Sequence, residues 1–212
     1  IDLLCILYAS KLPNFEGQFT ANNDILLYVD KNNEYSVKAL SGIQNEWIPL
    51  HSTDLIEEPD FLNEYSRYND FLEKQSLLIL HLSNKAISLK TEDDEILNIK
   101  VIAKPWFQLP LMFWVQLIAA SLAILIGAWL WSFRQNDRAS FHYFMSAVFI
   151  ALCIFPAAIY STRALALPGN IFHILSVIDH FGLYLFCAAM LSLNWLFPYP
   201  LHSINLPFHL YI

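Results

Sequence analysis

The chain has 212 residues, nineteen of them Asp or Glu against twelve Lys or Arg, and 56% are hydrophobic. Seventeen of the acidic and nine of the basic residues precede Pro105, so the first half carries about eight net negative charges and lacks the Lys and Arg surface that nucleic-acid binding needs. From Ala139 onward only Arg163 and Asp179 are formally charged, a density too low for a water-facing surface and suited to lipid as the solvent.

Ile1 to Tyr8 is apolar without a basic leader and reads as the tail of a signal or anchor helix, or as a buried strand. Ile25–Asp30 and Glu34–Leu40 are rich in β-branched and aromatic residues and flank Lys31, Asn32 and Asn33, which predicts a hairpin. The stretch around Trp47 and Pro49 reads as irregular. Pro59 opens a segment in which Phe61, Leu62, Tyr65, Tyr68, Phe71 and Leu72 recur at helical spacing, predicting a helix over about 59–74. Leu77–Leu82, Ala86–Lys90 and Ile96–Val101 read as three strands, with Asn84 and the run Glu92 to Glu95 at the junctions. That acidic run lacks the alternating ligands and glycine bend of a calcium loop, so a solvated hairpin turn is the better reading. Residues 1–104 therefore read as an α+β domain with a modest core.

Residues 105–212 read as an all-α transmembrane helix bundle. Pro105 to Phe133 contains no charged residue, and its twenty-nine residues would span roughly 40 Å as a helix. Trp106, Phe107, Phe113 and Trp114 near one end and Trp129, Trp131 and Phe133 at the other resemble the aromatic belts of membrane interfaces. Three spans are expected, near 109–132, 141–162 and 171–197, with Pro156 as a tolerated kink in the second. Leu206 to Ile212 reads as the start of a fourth crossing cut short. Arg134 and Arg138 in the first turn, set against Arg163 in the second, put the first turn in the cytoplasm and the acidic domain outside.

Asp179 and His180 lie well inside the third span, where an ionised carboxylate is costly unless paired or hydrated. Across an antiparallel hairpin through Pro168, Gly169 and Asn170, Arg163 is the natural partner for Asp179. These three residues form the expected intramembrane polar site, with structural stapling favoured over a ligand- or proton-sensing role. His173 and His180 are seven apart, not the three or four usual for two ligands on one helix, so no metal or haem pair is expected. Cys5, Cys153 and Cys187 suggest no disulfide framework. No GxSxG elbow, glycine-rich phosphate loop or HExxH occurs, and five glycines are few for cradling a nucleotide. No catalytic residue, metal or cofactor is expected. Ala119, Ala120, Ser121, Ala123, Gly127 and Ala128 of the first span, with Ala147, Ala151, Ala157 and Ala158 of the second, offer small surfaces for close helix contact.

The stretches Leu109-Pro-Leu-Met-Phe-Trp-Val-Gln-Leu117, Ile126-Gly-Ala-Trp-Leu-Trp131, Ala158-Ile-Tyr-Ser-Thr-Arg-Ala-Leu-Ala-Leu167 and Asp179-His-Phe-Gly182 resemble the membrane sensor region of a group of bacterial sensor histidine kinases. The resemblance covers about half the chain. It implies an extracytoplasmic domain, sometimes PDZ-like, ahead of a helix bundle, with a dimerisation and ATP-binding kinase core following in the cytoplasm. The glycine-rich peptide-binding loop of a true PDZ domain is not evident, and no phosphoacceptor or ATP-binding motif matches. The implied role is sensory input to a two-component receptor in the bacterial inner membrane, non-catalytic in this segment. Its expected partners are the lipid bilayer and an unknown small-molecule or peptide signal, and a homodimer is compatible with it. Two alternatives stand beside it: a transporter or channel component using Asp179 and His180 as a polar path, and the membrane anchor of another signalling enzyme such as a cyclic-nucleotide synthase.

Overall fold

The computed structural model describes residues 1–22, 25–30, 33–42, 46–56, 62, 64–84 and 86–196. It divides into two compact units, one formed by Ile1–Trp114 with Ala158–Ser176, the other by Val115–Ala157 with Val177–Ile212.

The first unit opens with helix α1 (Asp2–Ala9), which corrects the strand alternative for this segment. Strands β1 (Pro13–Asn14), β2 (Gln18–Asn22), β3 (Ile25–Asp30), β4 (Asn33–Ser41) and β5 (Trp47–Pro49) follow, then a 3-10 turn at Ser52–Leu55. Helix α2 (Tyr65–Leu82) precedes β6 (Ala86–Thr91), β7 (Ile96–Lys100) and β8 (Ile102–Ala103). The main sheet is antiparallel in the order β2-β3-β4-β6-β7, and β5 adds to β4 where β3 has ended. β1 and β8 form a separate two-residue ribbon. The β3–β4 hairpin pairs Asp30 with Asn33 and Val29 with Glu34, as the alternation of the two segments predicts. Lys31 and Asn32 of its turn lie outside the described residues.

Trp47–Pro49, expected to be irregular, is a short strand whose partner is residues 39–41 of β4. Three residues between two polar stretches carry too little periodicity to announce themselves. The larger correction concerns Leu77–Leu82, which is not a strand but the last turns of α2. In a strand, residues 78, 80 and 82 would share one face. Instead Leu78 and Leu82 are 0% and 1% exposed while Leu80 is 56% exposed. Phe71, Gln75, Leu78 and Leu82, all buried, follow the four-three-four spacing of a helical stripe. The helix expected over 59–74 thus runs later. Most of its anticipated first turn, including Pro59 and Phe61, lies outside the described residues.

Between β6 and β7 the acidic run makes the expected tight turn. Asp94 adopts a left-handed conformation (φ 62), which Asp tolerates better than most residues. Its carboxylate accepts from Lys38 Nζ at 2.6 Å and sits 2.9 Å from Lys90 Nζ.

The core of this unit lies between α2 and the sheet, where Leu26, Leu40, Leu78, Leu89 and Ile99 are buried. Leu165 and Ala166, distant in sequence, belong to the same cluster.

Three further helices, α3 (Leu111–Phe133), α4 (Arg138–Tyr160) and α5 (Gly169–Leu196), are long and apolar enough to cross a membrane. Their bounds match the expected spans to within a few residues. α5 already begins at Gly169, so Gly169 and Asn170, expected in the preceding turn, are its first residues. Phe197 and the apolar tail Leu206–Ile212 lie outside the described residues. In the second unit the Asp137 carboxylate caps α4, accepting from the Ala139 and Ser140 amides and from Ser140 Oγ at 2.7 Å. The Ser140 hydroxyl holds its pKa below the usual carboxylate value. The small residues meet as anticipated at one pair: a Cβ on Gly127 would fall 2.9 Å from the Ala147 Cβ. On α5, a Cβ on Gly182 would fall 2.9 Å from the Leu152 Cβ and 3.0 Å from the Phe149 carbonyl.

Candidate functional site

The α4–α5 connection, residues 161–168, is built into the α+β unit through helix α2. Gln75 occupies a position of the α2 stripe where an apolar residue is the rule, and it is fully buried. Its amide is satisfied on both sides: Oε1 accepts from the Leu167 amide at 3.0 Å, and Nε2 donates to the Asp54 carbonyl at 3.1 Å. One residue along α2, the Gly169 amide donates to Ser76 Oγ at 3.1 Å, and Ser76 Oγ donates to the Leu72 carbonyl. A Cβ on Gly169 would collide with the Leu72 carbonyl and lie 2.6 Å from Ser76 Oγ. Glycine therefore permits the backbone of α5 to approach that of α2.

Asp54 anchors the other side of Gln75. Its side chain is 2% exposed and pairs with Lys74 Nζ at 2.7 Å, while the same Oδ2 accepts from the His51 amide at 2.8 Å. A buried carboxylate survives only with such compensation.

Arg163 leaves the connection toward the same unit. Its Nη2 donates to the Ile56 carbonyl at 2.6 Å, and its guanidinium carbon sits 5.2 Å from the Phe172 ring centroid. Phe172 is fully buried, stacked on Tyr160 at 5.0 Å and met edge-on by Phe71 at 5.3 Å. One residue on, His173 Nδ1 and Tyr68 Oη are 2.8 Å apart. A cavity of about 370 Å³ opens beside Arg163, with Phe19, Leu55, Tyr160 and Ser161 in its wall.

Of the residues expected in the polar site, Arg163 belongs to this joint, and Asp179 and His180 belong to the second unit, on α5. Both are partly buried. The Asp179 main-chain carbonyl accepts from Cys153 Sγ at 3.4 Å, a contact from α4. Sequence reasoning missed Gln75, Ser76, Asp54 and Phe172. Gln75 had a readable signal, since a lone amide within the stripe Phe71, Leu78, Leu82 marks a polar group whose burial demands a partner.

The arrangement is one of attachment: a helix of the α+β unit holds the ends of two apolar helices by hydrogen bonds, ring packing and shared core. Among the described residues no group of three His, Cys, Asp or Glu is placed to hold a metal ion. Comparison with protein-family models, curated proteins and solved structures gave no match.

Proposed function

We propose that this chain is the sensory input and signal-transmission segment of a bacterial two-component membrane receptor, non-catalytic in itself. The observation that carries the reading is the joint at Gln75. A change in the α+β unit that moves α2 must move Leu167 and Gly169, and with them the ends of α4 and α5. Signals can then travel as a shift between two packed arrangements of the helices.

The reading places the helices in the bacterial inner membrane and residues 1–104 outside it. Arg134 and Arg138 favour a cytoplasmic first turn. Arg163 by charge alone counts against that orientation, but its hydrogen bond to Ile56 gives it a role on the same side as the domain. A downstream kinase core and a homodimeric bundle complete the proposal. The signal itself is a small molecule or a peptide.

The test uses Gly169→Ala in the full-length protein in native membranes, with phosphate incorporation from ATP as output. Altered phosphorylation at unchanged membrane yield supports the relay. A full-length protein that takes up no phosphate but supports solute or ion flux in proteoliposomes overturns it in favour of transport. Asp179→Asn in the same assay separates stapling from sensing, because unchanged output at unchanged yield removes the sensing role.

A further inference from the structure

Helix α1 has two unlike sides. Cys5 and Ala9 are buried, as is Leu12 just beyond the helix, so one side is packed into the first unit. The other side carries Leu3, Leu4 and Leu7, which share a face by helical spacing and are 67%, 71% and 49% exposed. Asp2, the one charged residue of α1, falls on the opposite flank and is half-buried. The first charge in line with the exposed leucines is Lys11, four positions after Leu7 and itself exposed. In a unit with a strong excess of acidic residues, an outward face of three leucines without one carboxylate is not a surface made for water; exposed apolar patches of this kind mark a protein or membrane contact.

The surroundings of α1 favour lipid as the cover. The helix packs against a 3-10 turn at Trp106–Gln108, whose Trp106 and Phe107 are exposed. After Leu109 and Pro110 that turn enters α3, where Leu111 and Met112 are exposed as well. Because α3 is long and apolar enough to cross a membrane, the bare leucines of α1 stand beside the point where a crossing begins. The aromatic pair between them is of the type that gathers at the lipid–water boundary. From this continuity we infer that α1 is seated in the membrane surface, with Leu3, Leu4 and Leu7 among the acyl chains of the near leaflet and Lys11 reaching back to the headgroup phosphates. The α+β unit then touches the bilayer through a face of its own, in addition to the helix ends it holds. This inference rests on the reading that α3, α4 and α5 cross a bilayer, and it refines the placement of residues 1–104 by setting one side of α1 into the leaflet.

The test needs no substitution. The full chain, deuterated except at its leucine methyls, is placed in phosphatidylcholine nanodiscs, and contact-range NMR cross-relaxation is read from each methyl to the lipid acyl protons and to water. Leu3, Leu4 and Leu7 should show acyl contacts and lack water contacts, as Leu111 at the start of α3 should, while Leu89, buried in the sheet, should show neither. Water contacts without acyl contacts at the three α1 leucines overturn the inference, because the face is then wet. Contacts to neither solvent also overturn it, since protein, from a second copy or another segment, then covers the face. Leu122 and Leu125, exposed on α3, keep the two ideas apart. Acyl contacts there but not on α1 reject the seating of α1 and keep the crossing helices, whereas their absence from α3 as well rejects the bilayer reading itself.

Discussion

Gln75 and Leu167, ninety-two positions apart, are joined by a 3.0 Å hydrogen bond from a main-chain amide to a fully buried side-chain carbonyl. Because the other end of the same side chain holds the Asp54 carbonyl, one amide group ties three parts of the chain together: the turn after β5, helix α2 and the connection between two apolar helices. Leu165 and Ala166 reinforce the tie by entering the core between α2 and the sheet. Full burial of a leucine side chain such as Leu165 is worth about 1.5–3 kcal/mol, and here that energy fixes an irregular connection in the core of the first unit.

Replacing Gln75 with Leu conserves much of the volume and removes both hydrogen bonds, leaving the Leu167 amide and the Asp54 carbonyl buried without this partner. Each such loss costs about 1–3 kcal/mol, so Gln75→Leu should destabilise the first unit by about 2–6 kcal/mol. Thermal unfolding in detergent reads the total. Hydrogen exchange at the Leu167 amide should accelerate more than at Leu89 in the sheet, and equal acceleration at both would argue against a local role for Gln75.

The Asp54–Lys74 pair makes an asymmetric prediction. Lys74→Met strips the counter-charge from a carboxylate that is 2% exposed and should cost about 2–3 kcal/mol, discounted from the fully buried case because Lys74 keeps some contact with water. Asp54→Asn retains an acceptor for the His51 amide and should cost less. Combining Lys74→Met with Asp54→Asn should recover part of the loss, as a double-mutant cycle by chemical denaturation would measure. Strict additivity of the two single changes would show that the pair contributes no coupling.

Much of this architecture was legible in the sequence, and the parts that were not share a cause. The three apolar helices and the β3–β4 hairpin have strong periodicity or composition over many residues. Leu77–Leu82 misled because a short apolar run fits a buried strand as well as a helix, and only the exposure of Leu80 against Leu78 tells them apart. The joint was hidden for another reason. Arg163 to Asn170 reads as a turn between membrane spans, and nothing local in Leu165, Ala166 or Leu167 states that their environment is a sheet and helix encoded in the first hundred residues. Arg163 was read as a charge partner for Asp179, and its hydrogen bond to the Ile56 carbonyl is a contact that a search for opposite charges does not consider.

Asp94 sets a pH dependence of defined sign. Hydrogen bonds from Lys38 and then Lys90 hold its carboxyl down at about 2, from an ordinary value of 3.8. A depressed folded-state pKa means that the contribution to stability is complete above about pH 4 and is lost as pH falls toward 2. The group is fully solvent-exposed, so added salt should weaken the effect. Asp94→Asn keeps a residue that tolerates the left-handed backbone and removes the charge. The variant should therefore lose this acid-dependent component while the β6–β7 turn persists, as carboxyl titration by NMR and melting curves between pH 2 and pH 5 would report. A wild-type Asp94 titrating near 4 would contradict the assignment.

The Gly127–Ala147 contact yields a prediction with a built-in rescue. An added methyl at residue 127 would lie 2.9 Å from the Ala147 Cβ, closer than carbon atoms tolerate, and a tight 3.2 Å from the Phe144 Cα, and Trp131 stacked on Phe144 at 5.2 Å limits how α4 can yield. Alanine is the better helix former by about 1 kcal/mol, yet overpacking commonly costs about 1–3 kcal/mol, so the steric term should win and Gly127→Ala should lower resistance to denaturing detergent. Ala147→Gly removes the facing methyl. The double variant should regain stability relative to Gly127→Ala alone, which small-residue packing between apolar helices requires. If instead Ala147→Gly deepens the loss in the Gly127→Ala background, the close approach of α3 and α4 at this level is not what limits their packing.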